Sequence, residues 1–276
     1  MSVTLERILA TTAGMSAQTE VIVIDDGSTD GTADVLSRFG SGLRMIRHRE
    51  NRGYGAALKT GMAAARGGWV CLLDADGTYP VDRLPDLWAR CKEDVDMVIG
   101  ARTAPGARVP LIRRPAKWAL RRFASTITGK PIPDLNSGFR IYRLARAASH
   151  LPLLPDGFSF TTTITIAFLS DDARVEFVPI DYHARLGKSK IRPIRNTYEF
   201  FLLILRTSVF FAPLRVFSPL GFGFMAIAAL LVAYRLFIGA AFGVTATLLF
   251  VTGLQLLAVG LLADLVNRRF ETNKER

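Results

Sequence analysis

Cysteine and histidine are scarce in this chain. Of 276 residues, two are cysteine (Cys71, Cys91) and three are histidine (His48, His150, His183). Two thiols exclude a disulfide framework and a Cys-rich zinc module. Three histidines so far apart are a poor basis for a His-built metal site. The cysteine usage fits a reducing, intracellular setting. A secretory signal is not expected either, because Met1–Ser16 holds a single basic residue, Arg7, and no long apolar core.

Acidic residues are also in deficit, with 24 Asp+Glu against 35 Lys+Arg and a net charge of +11. The deficit is concentrated. Met97–Pro133 has no acid but carries Arg102, Arg108, Arg113, Arg114, Lys117, Arg121, Arg122 and Lys130. Tyr182–Tyr198 has none either and carries Arg185, Lys188, Lys190, Arg192 and Arg195. Such charge draws an anionic partner, whether nucleic acid, an acidic membrane surface or a phosphorylated substrate. Within the first stretch, Leu120, Phe123, Ala124 and Ile127 fall at helical spacing. They predict a basic amphipathic helix suited to anionic lipid and to a phosphate headgroup.

Charge of either sign is missing near the C-terminus. Val216–Tyr234 and Leu236–Ala263 are uncharged, with Arg235 between them. A membrane-spanning helix needs about 20 residues, so this region predicts two spans joined at the Gly239–Gly243 turn. Arg215 on one side and Arg268, Arg269, Lys274 and Arg276 on the other place both ends in the cytoplasm. Asn196–Phe211, apolar but interrupted by Glu199 and Arg206, reads as an interfacial helix, and Pro213 as a break before the first span. The expected organisation is a soluble domain over 1–195, a linker over 196–215, the hairpin over 216–264 and a basic tail over 265–276.

The first 195 residues alternate strand and helix signals, as in an α/β domain. Strands are expected at Glu20–Ile24, Leu43–Arg47, Trp69–Leu73 and Asp96–Ile99, with helices at Leu5–Thr12, Thr29–Phe39, Gly55–Ala65 and Val81–Arg90. Two strand signals run into acid pairs, Asp25-Asp26 and Asp74-Ala75-Asp76. Ligands of open α/β sheets bind at such strand ends. Asp74 and Asp76, two apart on a turn, can both reach one phosphate-bound cation, because hard cations take carboxylate oxygens. Asp25 and Asp26 can accept hydrogen bonds from a base or ribose. A second D-x-D, Asp94-Val95-Asp96, precedes a strand and reads as a solvated connection.

VIVIDDGSTDGT, ENRGYGAALKTG, VCLLDADGTYP, VIGAR, DLNSGFRIY and VPIDYHARLGKSKIRP occur in this order over roughly residues 3–195. This series resembles the family 2 glycosyltransferases of the GT-A (Rossmann-like) fold, and within them the dolichyl-phosphate mannose synthase-like, polyprenyl-phosphate group. The resemblance implies a nucleotide-sugar-binding domain, a nucleotide sugar and a polyprenyl phosphate as substrates, and Mg²⁺ or Mn²⁺ as cofactor. It puts Asp25 and Asp26 on the nucleoside, and Asp74 and Asp76 on the metal and diphosphate. Arg102 falls on the phosphates, Asp134 on the acceptor side, and Arg185, Lys188 and Ser189 on a loop over both phosphates. Arg113, Arg114 and Arg122 are assigned to the acceptor phosphate. Gly138 and Phe139 read as packing residues, and Asn51, Gly53 and Gly55 as turn-formers.

The implied reaction is an inverting transfer of a hexose at the cytoplasmic membrane face. A lipid phosphate is already ionised, so charge stabilisation of the departing diphosphate matters more than a general base. Nucleic acid is not expected as partner. Family members open with a strand ending in a P-A-Y-N-E-like loop, whereas MSVTLERIL is similar to the helix after it. The first strand is therefore expected to be missing between Glu20–Ile24 and Trp69–Leu73, both of which read as fully buried. A start upstream of Met1 is the favoured explanation. An inactive, membrane-anchored nucleotide-sugar binder is the alternative. A processive polysaccharide synthase fits less well, because neither Gln18 nor Gln255 opens a Q-x-x-R-W motif. The sugar, the polyprenyl chain and homo-oligomerisation stay open.

Overall fold

The structure, a computed structural model, describes residues 1–105, 114–183, 202, 204–210, 212–239, 241 and 243–272. The chain divides into two compact units: Met1–Arg122 with Pro131–Leu203, and Phe123–Lys130 with Ile204–Arg276.

The first unit is α/β. Helix α1 (Ser2–Ala13) leads to β1 (Ile22–Asp25), α2 (Thr32–Ser37), β2 (Arg44–Arg47), α3 (Tyr54–Ala64), β3 (Trp69–Leu72), α4 (Leu84–Trp88) and β4 (Met97–Ala101). Helix α5 (Arg114–Thr128) follows, with its last residues in the second unit, then β5 (Arg140–Arg143), α6 (Leu144–His150), α7 (Phe160–Ser170) and β6 (Val175–Pro179). Observed helices are shorter than expected after β1 and after β3. Thr29–Phe39 shrinks to Thr32–Ser37, and Val81–Arg90 divides into a 3₁₀ turn at Val81–Arg83 and α4. Pro85, at the start of α4, has no N–H to continue the preceding turn.

The strands form two sheets. β1 and β2 pair in parallel, with Ile22 opposite Arg44. The other four run in the order β3-β5-β4-β6, with β5 antiparallel to both neighbours and β4 parallel to β6. β4 has partners on both edges, and all five of its residues are buried. Met97 and Ile99 enter a core with Met62, Leu72, Tyr142, Phe160 and Phe168. Val98 enters the opposite core, with Leu84, Leu87, Phe139 and Ile180. That alternation is the two-residue repeat of a strand covered on both faces.

The apolar runs of β1 and β3 depart from expectation. Ile22, Val23 and Ile24 are only half-buried, and Cys71, in the middle of β3, is exposed. Each strand has a ladder partner on one side alone among the described residues. Helix α3 nonetheless packs on both sheets. Gly61 lies against Ile24, where a Cβ would be 3.6 Å away, while Met62 shares a core with Leu72.

The second unit contains α8 (Pro213–Phe237) and α9 (Val244–Thr272), which pack as an antiparallel pair. Contact is close at Gly221, where a Cβ would lie 2.9 Å from the Gly253 carbonyl oxygen, and at Gly260, 2.9 Å from Phe217 Cβ. Pro213 opens α8 rather than breaking the chain, since the first turn of a helix leaves its N–H groups unpaired anyway. Arg235 lies in the last turn of α8, so the connection is made by the expected glycine-containing segment after it. Both helices are long and apolar enough to cross a membrane, and only 11% and 17% of their most apolar stretches are buried. Leu230, Phe237, Leu248 and Leu262 are exposed. Arg215 donates to the carbonyls of Ile127 (3.1 Å) and Thr128 (2.5 Å), capping the C-terminal end of α5 with a cation. Of the expected interfacial helix, residues 204–210 are helical, with Ile204 and Ser208 buried.

Candidate active site

Two acidic turns lie at strand ends on the same end of α3. In the first, Asp25 closes β1 with its side chain fully buried. One oxygen accepts the Ser28 N–H at 2.9 Å, and the other is 3.2 Å from Arg47 Nε. Asp26 is bound entirely by its own surroundings. Oδ1 meets His48 Nδ1 (2.7 Å) and the Arg52 N–H (2.9 Å), and Oδ2 accepts the Gly53 N–H (2.9 Å). Burial pushes this carboxyl up, but those N–H groups and His48 together outweigh it and hold Asp26 below the usual carboxylate range. His48 in turn reaches Thr60 Oγ1 on α3 at 2.9 Å. Gly27 lets the loop close, with φ of +71° and room for no Cβ, which would sit 2.5 Å from the Glu50 carbonyl carbon.

The second turn follows β3. Asp74 accepts a hydrogen bond from the Tyr54 hydroxyl at 3.0 Å on Oδ1. Its other oxygen faces the Gly138 backbone, where a Cβ would come within 2.6 Å. Gly138 is anchored by donating its N–H to the Tyr79 hydroxyl at 2.6 Å. Asp76 Oδ1 accepts from the Thr78 N–H (3.1 Å) and hydroxyl (2.6 Å). Asp74 and Gly138 meet because β3 and β5 pair, Leu72 lying opposite Arg140. The second D-x-D is structural. Asp94 pairs with Arg174, and Asp96 accepts the Arg174 N–H at 3.0 Å.

Just past β4, Arg102 and Asp134 form a two-pronged ion pair, Nε to Oδ2 at 2.7 Å and Nη2 to Oδ1 at 2.8 Å, with the Arg102 N–H also on Oδ2. Asn136 Oδ1 takes a further bond from Nη2 at 2.6 Å, and the Tyr182 ring lies 5.2 Å from the guanidinium. Burial disfavours the cation, and Asp134 more than offsets it. Nearby, the wholly buried Arg140 is held by the Ser137 and Thr161 carbonyls and by Thr165 Oγ1. Ser137 Oγ donates to the Gly100 carbonyl at 2.6 Å, so the D-x-x-S-G-F segment is tied to β4.

The structure thus brings Asp74 against Gly138 and Arg102 onto Asp134, at the two ends of the 134–138 segment, with Asp76 on the same turn as Asp74. It puts Asp25 and Asp26 on the neighbouring turn. Arg113, Arg185, Lys188 and Ser189 lie outside the described residues. Arg114 opens α5, and Arg122 lies further along it. Sequence reasoning did not single out Tyr54, Tyr79, His48, Asn136 or Arg140, although all but His48 lie inside a quoted motif. Polar residues with buried partners carry no local period by which to find them.

Among the described residues no group of three or more His, Cys, Asp or Glu could hold a metal. Two hard carboxylates on one turn fit a divalent ion that takes its remaining oxygens from a diphosphate. Acids at the ends of β1 and β3 and a buried cation beyond β4, in a chain with an apolar hairpin, define a membrane protein with a GT-A glycosyltransferase domain. Residues 3–150 match the profile described as glycosyl transferase family 2, and residues 212–268 that of the GtrB C-terminal hairpin. The chain belongs to glycosyl transferase family 2 and is a glycosyltransferase.

Its relatives include the low-salt glycan biosynthesis hexosyltransferase Agl6 of Haloferax volcanii, 27% identical over 76% of this chain and 50% of that protein. The chain therefore spans about half the length of that relative. The undecaprenyl-phosphate 4-deoxy-4-formamido-L-arabinose transferase of Pseudomonas savastanoi pv. phaseolicola is 29% identical over 99% of this chain and 83% of that one. Among solved structures, glucosyl-3-phosphoglycerate synthase from Mycobacterium tuberculosis, in complex with Mn²⁺, UDP and phosphoglyceric acid, shares the fold. Its TM-score is 0.57 at 18% identity, over 75% of this chain and 74% of that one.

Proposed function

We propose that this protein transfers a hexose from a nucleotide sugar to a polyprenyl phosphate at the cytoplasmic face of a membrane. The observation that carries the reading is the pairing, in one chain, of the Asp74–Asp76 turn with an apolar two-helix hairpin matching the GtrB type. The undecaprenyl phosphate named for the Pseudomonas relative supports the choice of acceptor.

Asp25 and Asp26 form the nucleoside side of the donor site. Asp74 and Asp76 would hold Mg²⁺ or Mn²⁺, which would supply charge stabilisation for the departing diphosphate. In a single displacement, an oxygen of the lipid phosphate forms the new bond to the anomeric carbon. The bond from that carbon to the diphosphate oxygen breaks, and its electron pair leaves with the nucleoside diphosphate. No proton has to move, and the anomeric configuration inverts. Arg102, held by Asp134, keeps a fixed positive charge beyond β4. Arg113, Arg114 and Arg122 guide the acceptor phosphate, while Arg185, Lys188 and Ser189 complete the anion site. Both ends of the hairpin lie in the cytoplasm, as the flanking basic residues imply.

The test is to incubate membranes containing the protein with undecaprenyl or dolichyl phosphate and a panel of labelled nucleotide sugars. Label in the lipid fraction, lost on chelation of divalent metal, is expected. Nucleotide-sugar binding with no lipid label from any donor would favour the binder reading. Full transfer in excess chelator would remove the metal from the mechanism.

A further inference from the structure

Asp74 is bordered by groups from two distant parts of the chain, and a third part holds one of them. The Gly138 backbone closes one side of its carboxylate, and the Tyr54 hydroxyl bonds the other at 3.0 Å. Tyr54 is the first residue of α3 and is itself held from outside that helix. The 155–158 loop lies directly against the residues around it. A Cβ on Gly53 would be 2.5 Å from the Asp156 carbonyl oxygen, and one on Gly55 would be 2.0 Å from that of Pro155. The Ala56 N–H donates to the Asp156 carbonyl at 3.1 Å, and Lys59 pairs with the Asp156 carboxylate at 2.8 Å. The Phe158 ring stacks on the Tyr54 ring, centroids 5.8 Å apart and planes within 11°, although Phe158 is 71% exposed. An aromatic left so open to solvent is here committed to one neighbour.

We infer that Tyr54 is a positioning residue, its hydroxyl fixing the rotamer of Asp74 for the divalent cation and the 155–158 loop fixing Tyr54. The inference rests on the reading of Asp74 and Asp76 as the metal-binding pair. Metal-binding carboxylates are commonly oriented by such outer partners, whose loss costs about 10–100-fold in metal affinity. The two glycines carry the coupling, since any larger residue at 53 or 55 would lift the loop from the helix start.

The experiment titrates Mn²⁺ alone into the full-length protein in detergent and reads free Mn²⁺ by electron paramagnetic resonance, with thermal midpoints measured in parallel. Tyr54→Phe, which keeps the ring and its stack, is expected to weaken Mn²⁺ binding at least about 10-fold and to leave the midpoint nearly unchanged. Phe158→Leu, which keeps the hydroxyl but frees the ring, should weaken binding by a smaller factor. Asp76→Asn serves as reference and should lose Mn²⁺ binding. Wild-type affinity in Tyr54→Phe beside a loss in Asp76→Asn overturns the role of Tyr54 and leaves the metal site standing. Wild-type affinity in Asp76→Asn overturns both. A lowered midpoint in Tyr54→Phe that accounts for the weaker binding makes Tyr54 a structural residue and overturns the proposal.

Discussion

The two acidic turns at the ends of β1 and β3 look alike as strings of letters, D-D-G-S against D-A-D-G-T, yet their carboxylates are held differently. Asp26 spends both oxygens on the Arg52 and Gly53 N–H groups before α3 and on His48, so it braces residues 52–53 against the end of β1. Asp74 takes a phenol on one oxygen and faces a bare glycine backbone with the other, and Asp76 is oriented by Thr78 through Oδ1. Asp26 thus fastens one loop to another, whereas Asp74 is turned by a phenol from α3 and is the ligand candidate. Strand-end position alone does not separate the two.

The largest expected effect breaks the second turn chemically. Asp76→Asn should lower transfer to lipid phosphate on the order of 10³-fold through lost charge stabilisation, with the thermal midpoint unchanged. Normal turnover would move the metal elsewhere. Next is a steric break of the same turn. Gly138→Ala puts a Cβ 2.6 Å from Asp74 Oδ2, and moving the carboxylate aside by about 1 Å is expected to cost about 10²-fold in rate. Gly31→Ala, with nothing within 4 Å of the added carbon, is the matched control. Equal activity of the two variants would show that Asp74 tolerates movement.

A third prediction concerns stability. Arg102 and Asp134 are each only about one-tenth exposed. Asp134→Ala leaves a buried cation unpaired, and such a break costs about 3–5 kcal/mol. Denaturant unfolding followed by tryptophan fluorescence checks it, and an unchanged midpoint would mean that water or another acid replaces Asp134. The smallest effect belongs to the first turn. The folded pKa of Asp26 is depressed, so its contribution is fully present above the unfolded carboxylate value, about 3.9, and is lost as pH falls through the lower folded value. Asp26→Asn should therefore lower stability at pH 7 and flatten the acid limb below about pH 4, the variant and the wild type converging as pH falls. An unaltered acid limb would assign the loss to other carboxylates.

Much of this molecule was legible in the chain. The order of helices and strands through β4, the acidic strand ends, the amphipathic α5 and the two long apolar helices all follow from short-range periodicity and from runs of uncharged residues. The partners of the site residues were less so. Arg102 was expected on phosphates and Asp134 on the acceptor, and nothing in VIGAR or DLNSGFR says that they bind each other. They do because β5 lies beside β4, which brings residues 102 and 134 to one end of the sheet. The exposure of Cys71 was equally hidden. WVCLL reads as a buried run, and whether it is buried depends on how many strands flank it.

The amino-acid sequence by itself determined the helices and strands through β4 and the two long apolar helices, because those choices depend on periodicity and on the free energy of moving apolar side chains out of water. It also determined where carboxylates meet strand ends. Only the tertiary structure decided which carboxylate is a fastener and which is a ligand candidate. That distinction lies in a phenol 20 residues away from Asp74, in a glycine brought up by the pairing of β3 with β5, and in an arginine that consumes Asp134. Hydrogen bonds of this kind are set by strand order and register, which no local stretch of residues encodes.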